Sequence, residues 1–138
     1  MKRFEVLDVS GDVGIRASGR SVDEAFVHAA KGMYSLITEI ERVKEKKTID
    51  VSVESNSLEG LLVSWLNELI FHFDAYGFIG KGIKLKHFSV NKIAASISGE
   101  EFDSEHHTRK LLIKAATYHR LRIEKVGNIW EIDVIFDI

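Results

Sequence analysis

Apolar positions recur along this chain with two periods, and the places where one period gives way to the other predict its elements. Residues 56–77 carry the longest helical pattern. Leu58, Leu61, Leu62, Trp65, Leu66, Leu69, Ile70 and Phe73 fall at the three-and-four spacing of one helix face. Asn56 is placed to cap the first free amides, with Glu59 three residues on, and Gly77 suits the left-handed residue that stops a helix. Full burial contributes roughly 1.5–3 kcal/mol per large side chain. This helix is therefore expected to anchor the core, with Leu61, Trp65, Leu69 and Phe73 facing a sheet. A second helix is expected after Ser21, which forms a capping box with Glu24. Its apolar face would be Ala25, Phe26, Ala29, Ala30, Met33, Leu36, Ile37 and Ile40.

The remaining pattern has period two. Residues 4–9 and 12–17 alternate on either side of Ser10-Gly11, which predicts a strand, a tight turn and a strand. Residues 48–55 predict a half-buried strand feeding the central helix. The glycines of residues 78–82 predict a loop, 83–90 a strand, Asn91-Lys92 a hairpin turn and 93–98 its partner strand. Residues 99–110 form one long polar insertion, in which the adjacent His106 and His107 are expected to be solvated. Strands are expected over 111–118, 121–126 and 129–138, with a turn at Gly127-Asn128. The fold class that follows is α+β: a single domain over residues 1–138, with two main helices packed on mostly antiparallel sheet.

Composition narrows the function. A chain of 138 residues can bury a real core without staples. A formal net charge of −2 argues against nucleic-acid binding by bulk electrostatics. The absence of cysteine removes disulfides, thiolate metal sites and a cysteine nucleophile. No run approaches the ~18 apolar residues of a membrane span, and no apolar leader is visible, so a cytoplasmic protein is expected. There is no phosphate-binding glycine loop, nucleophile elbow or zinc-protease motif. Ser64 falls inside the central helix, a poor place for a strained nucleophile, and His119 is an acid–base candidate without a partner visible in the sequence. Hard oxygen donors do gather at strand ends, Asp12 early and Asp137 with the terminal carboxylate late. Such donors suit calcium or magnesium, although from local sequence alone Asp12 reads better as a turn aspartate bonding its own backbone.

Four segments together resemble the archease family. They are DVSGDVGIRASG at 8–19, VSWLNELIFHFD at 63–74, GEEFDSEHHTRKLLIKAATYHRLRIEK at 99–125 and VIFDI at 134–138. The run Ile-Lys-Ala-x-Thr-Tyr-His at 113–119 is the most specific piece. The chain departs from the family pattern where histidine, threonine and alanine commonly precede the motif aspartate and Val9, Ser10 and Gly11 stand here. It departs again at Ser64, commonly aspartate, and at Glu101 and Ser104, commonly proline. Asp12, Lys114, His119 and Asp137 match.

The resemblance implies an accessory protein and not an enzyme. Its partner would be the RNA ligase that joins tRNA halves, whose active-site histidine it helps GTP to guanylylate so that the ligase turns over repeatedly; RNA is contacted only indirectly. The resemblance further implies a divalent metal, calcium, bound through Asp12, Asp137 and Ile138, and leaves Lys114 and His119 as candidate partner contacts. Two other classes stay open: a metal-dependent hydrolase using Asp12, Asp137 and His119, and a general chaperone-like partner of RNA- or DNA-modifying enzymes.

Overall fold

The computed structural model of the chain describes residues 3–138. In order, the elements are β1 (Phe4–Val9), β2 (Asp12–Gly19), α1 (Val22–Ile37), a 3-10 turn (Ile40–Arg42), β3 (Lys47–Glu54), α2 (Leu58–Tyr76), β4 (Phe78–Phe88), β5 (Lys92–Glu101), β6 (Ala115–Ala116), β7 (Arg122–Val126) and β8 (Ile129–Asp137). The α+β expectation holds, but the strands form two antiparallel sheets. One runs β1-β2-β8, with β6 and β7 both pairing the far edge of β8; the other runs β3-β5-β4. Helix α1 packs on β1, β2 and β8 of the first sheet and β4 of the second, while α2 packs on β3, β4, β5 and β6. Both sheets and both helices share one core, to which Ile15, Phe26, Met33, Trp65, Ile97 and Val134 belong.

Helix α2 behaves as its periodicity predicts. Leu61, Trp65 and Leu69 are fully buried and Phe73 packs against the core from its rim. Trp65 donates its indole N–H to the carbonyl of Phe26 at 3.1 Å, so the ring is satisfied as well as buried. The cap lies one residue later than expected: Ser57, not Asn56, accepts from Gly60 N at 3.0 Å, because Ser57 is the last extended residue before the helix. Gly77 closes it at φ 67°. In α1, Ser21 caps Glu24 N, but the Glu24 carboxylate accepts from Arg20 N instead of completing the box at Ser21.

Four expectations fail. Residues 78–82 are not a loop, since β4 begins at Phe78 and passes through a bulge between Gly80 and Gly82. A Cβ on Gly80 would stand 2.5 Å from Ile97 Cγ2 and 2.8 Å from Tyr34 Cε2, so the glycine marks close packing between layers. The following turn is Val90-Asn91, closed by Ser89 N donating to Lys92 O, and Lys92 already belongs to β5. Residues 111–118 form a strand only at Ala115–Ala116. Their neighbours bond elsewhere: Lys110 N and Leu111 N donate to the free carbonyls of Ile37 and Leu36 at the end of α1. In the polar insertion His107 is not solvated but buried, unlike the exposed His106.

Candidate functional site

Ser10 and Gly11 take φ of 49° and 88°, both left-handed, and form a two-residue turn closed by the Val9–Asp12 pair. Turns of this hand match the twist of the strands they join. Asp12 is thereby fixed as the first residue of β2. The β2–β8 ladder pairs Val13 with Phe136 and Ile15 with Val134. One step beyond Val13, the same register sets Asp12 opposite Asp137, the last residue of β8. Cross-strand neighbours share a face. Ile15, Ala17, Ile132, Val134 and Phe136 face the core, so Asp12 and Asp137 stand together on the outer face. Both are exposed, and among the described residues neither carboxylate has an ion-pair partner. Ile138 follows directly, half exposed.

The third motif returns the chain to this strand end. Lys114 N donates to Asp137 O at 2.8 Å, and Ala115 pairs with Asp137. Ala116 N donates to Asn67 Oδ1 of α2 at 2.8 Å, tying the helix to the segment. Thr117 donates through both its amide and its hydroxyl to Ile135 O, at 3.0 and 2.8 Å, and its hydroxyl accepts from His119 N at 3.3 Å. A turn closed by Leu121 N on Tyr118 O follows, with Arg120 at φ 53°. Lys114 and His119 thus lie beside the end of β8, both exposed. Among the described residues, neither side chain bonds to Asp12 or Asp137.

The donor set at this edge is chemically suited to a hard divalent cation, two carboxylates on one face with a chain-end oxygen close in sequence. Water reaches both aspartates and screens their mutual repulsion. Among the described residues, no three His, Asp or Glu side chains gather as a ready-made metal cage. The third donor expected here is the main-chain carboxylate of Ile138.

Sequence reasoning missed a further carboxylate on the same face. Asp133 receives Arg16 Nε and Nη2 at 2.8 and 3.0 Å and Arg122 Nε at 3.1 Å; Arg122 also reaches Glu131 at 2.7 Å. Burial pushes the Asp133 carboxyl up, but the two guanidinium groups outweigh it and hold it below the usual range. The signal lay in the register, which sets Arg16 opposite Asp133 and Asp133 opposite Arg122. Sequence reasoning also missed the anchor of the polar insertion. Glu100 accepts from Lys44 N at 2.7 Å and from His107 Nε2 at 2.9 Å, while His107 Nδ1 accepts from Asp103 N at 2.8 Å. Since Nδ1 accepts, the neutral ring carries its proton on Nε2. The Lys44 amide above all, then His107, hold the Glu100 carboxyl at about 2 against the cost of burial.

The Archease protein family (MTH1598/TM1083) has a model that matches residues 4–138. The chain is 32% identical over 144 residues to a protein called archease from Sulfurisphaera tokodaii, with 100% of both covered. The solution structure of protein 1598 of Methanobacterium thermoautotrophicum superposes with a TM-score of 0.78 at 29% identity, covering 100% of both chains. A crystal structure from Thermotoga maritima, described as an archease and possible chaperone, shares the fold at a TM-score of 0.67 and 19% identity, over 96% of this chain and 94% of that one.

Proposed function

Because this chain belongs to the archease family, we propose that it is an accessory protein that activates an RNA-joining ligase, promoting GTP-dependent guanylylation of the ligase histidine and repeated turnover on tRNA halves. The observation that carries this reading is the β2–β8 register, which puts Asp12 and Asp137 on one exposed face with no cation of their own among the described residues. In the proposal Asp12, Asp137 and the terminal carboxylate of Ile138 hold a divalent ion, calcium, whose bound charge makes this edge electropositive toward a nucleotide site. Lys114 and His119 flank the edge as contacts for the ligase. Exposed apolar side chains on α2 and the returning segment, Phe71, Tyr76, Leu112 and Tyr118, supply the kind of surface a protein partner covers. The protein itself turns over no substrate, and RNA meets it only through the ligase.

The proposal also places the protein with its ligase in the cytoplasm; none of the described helices is long and apolar enough to cross a membrane. The test is single-turnover guanylylation of the cognate ligase by GTP, with and without this protein. Acceleration that Asp12→Asn abolishes is the expected result. Equal rates with and without the protein would overturn the reading. Phosphoester turnover by the purified protein alone would favour the hydrolase, and protection of several unrelated clients from aggregation would favour the general chaperone.

A further inference from the structure

Helix α2 carries no lysine or arginine from Leu58 to Tyr76. The carboxyl end of a helix favours cations, and this helix supplies none of its own there. What it exposes instead is aromatic. Phe71 and Tyr76 are 50% and 61% exposed. With His72 they form a cluster of three rings, whose centroids lie 5.5 Å apart for Phe71 and His72, 5.7 Å for His72 and Tyr76, and 6.0 Å for Phe71 and Tyr76.

Carboxylates bracket the cluster. Glu68 precedes Phe71 by three residues and Asp74 follows it by three, the spacing of neighbours on a helix surface. Glu68 lies 3.3 Å from His72 Nε2, and Asp74 is exposed. Acids repel a phosphate backbone, so a nucleic acid is a poor occupant of this surface. Arginine answers both of its features, because the guanidinium plane stacks on a ring while its N–H fork reaches a carboxylate. Resting on the activator reading above, we propose that this end of α2 is the docking surface for an arginine-bearing segment of the ligase. The guanidinium lies over Phe71 or Tyr76 and pairs with Asp74 or Glu68.

The surface is continuous with the aspartate edge. Asn67 stands one turn before Phe71 on the same face of α2. Its side chain accepts Ala116 N at 2.8 Å, and Ala116 pairs with Phe136, the residue before Asp137. A partner seated on the ring cluster is therefore placed to reach the edge with the rest of its surface.

The test is a titration of the full chain into the full-length ligase with GTP, reading the concentration that gives half-maximal guanylylation. Phe71→Ser and Asp74→Lys change exposed positions, and circular dichroism checks that both variants keep their helices. Each is expected to raise that concentration about tenfold, whereas Phe71→Tyr, which keeps the ring, matches the wild type. Added salt should raise the wild-type value more than that of Asp74→Lys. Wild-type values in both Phe71→Ser and Asp74→Lys overturn the docking surface and leave the activator reading standing. A wild-type value in Asp74→Lys alone overturns the arginine partner. No acceleration by the wild-type chain overturns the surface and the activator reading together. Sedimentation showing that the chain alone dimerises, and that Phe71→Ser makes it a monomer, overturns the proposal in favour of a second copy as occupant.

Discussion

Asp133 and Asp137 lie on the same strand and the same face, about 13 Å apart at the rise of an extended chain, and the fold treats them in opposite ways. Asp133 is clamped between Arg16 and Arg122, with its side chain 13% exposed. Asp137, opposite Asp12, lies open to water without a cationic partner among the described residues. Between them Ile135 covers Gly14, where a Cβ would stand 2.6 Å from Ile135 Cδ1, so an apolar step separates the two sites. A carboxylate whose charge is met inside the fold is part of the scaffold. One whose charge is left unmet can serve a ligand or a partner.

The largest effect expected is the loss of the platform under both sites. Leu69→Ala should cost about 2–5 kcal/mol in denaturant unfolding, and a cost well under 1 kcal/mol would mean that α2 does not support the sheets as described. Asp133→Asn comes next, at about 1–3 kcal/mol, because it leaves Arg16 and Arg122 facing one another. If Asp133→Asn is as harmless as a change at an open surface, the distinction between the two carboxylates fails.

The acid limb of stability should report the same division. Asp133 and Glu100 are both held below their unfolded values, Glu100 at about 2 against an ordinary 4.5. The unfolded chain therefore binds more protons across this range, and stability rises with pH there. Each contribution is fully present above the unfolded pKa and is lost as pH falls below it, for Glu100 from about 4.5 toward about 2. Thermal melts across that window should flatten in Glu100→Gln and Asp133→Asn. The smallest effect is expected at the open edge itself: Asp12→Asn and Asp137→Asn should each change stability by no more than about 0.5 kcal/mol. A large loss in either would show that the edge is structural.

The helices were legible because their apolar stripes are long and their ends carry caps, and the β1–β2 hairpin because Ser10-Gly11 interrupts a clean alternation. The start of β4 was hidden by glycines that serve close packing against Tyr34 and Ile97. Residues 111–118 have the apolar composition of a buried strand, yet their amides are spent singly on an α1 carbonyl, Asn67 and β8, which composition cannot distinguish from a ladder. His107 looked like its exposed neighbour because adjacency says nothing of which side of a turn faces inward. At the site, the resemblance named Asp12, Asp137, Lys114 and His119; the β2–β8 register sets Asp12 beside Asp137, and single hydrogen bonds of Lys114 N and Thr117 bring the segment with Lys114 and His119 alongside β8. The pairing of Arg16 with Asp133 depends on which residues face each other across strands 117 positions apart in sequence, and no local pattern carries that.

On the function proposed above, the unneutralised edge is a cation site and the neutralised one is not. Calcium titration by calorimetry on the wild-type chain, Asp12→Asn, Asp137→Asn, Asp133→Asn and a variant extended by one residue after Ile138 tests it most directly. The account predicts saturable binding by the wild type and by Asp133→Asn, its loss in Asp12→Asn and Asp137→Asn, and weaker binding in the extended chain. Calcium heats that are the same in all five proteins, or that vanish only with Asp133, would contradict it.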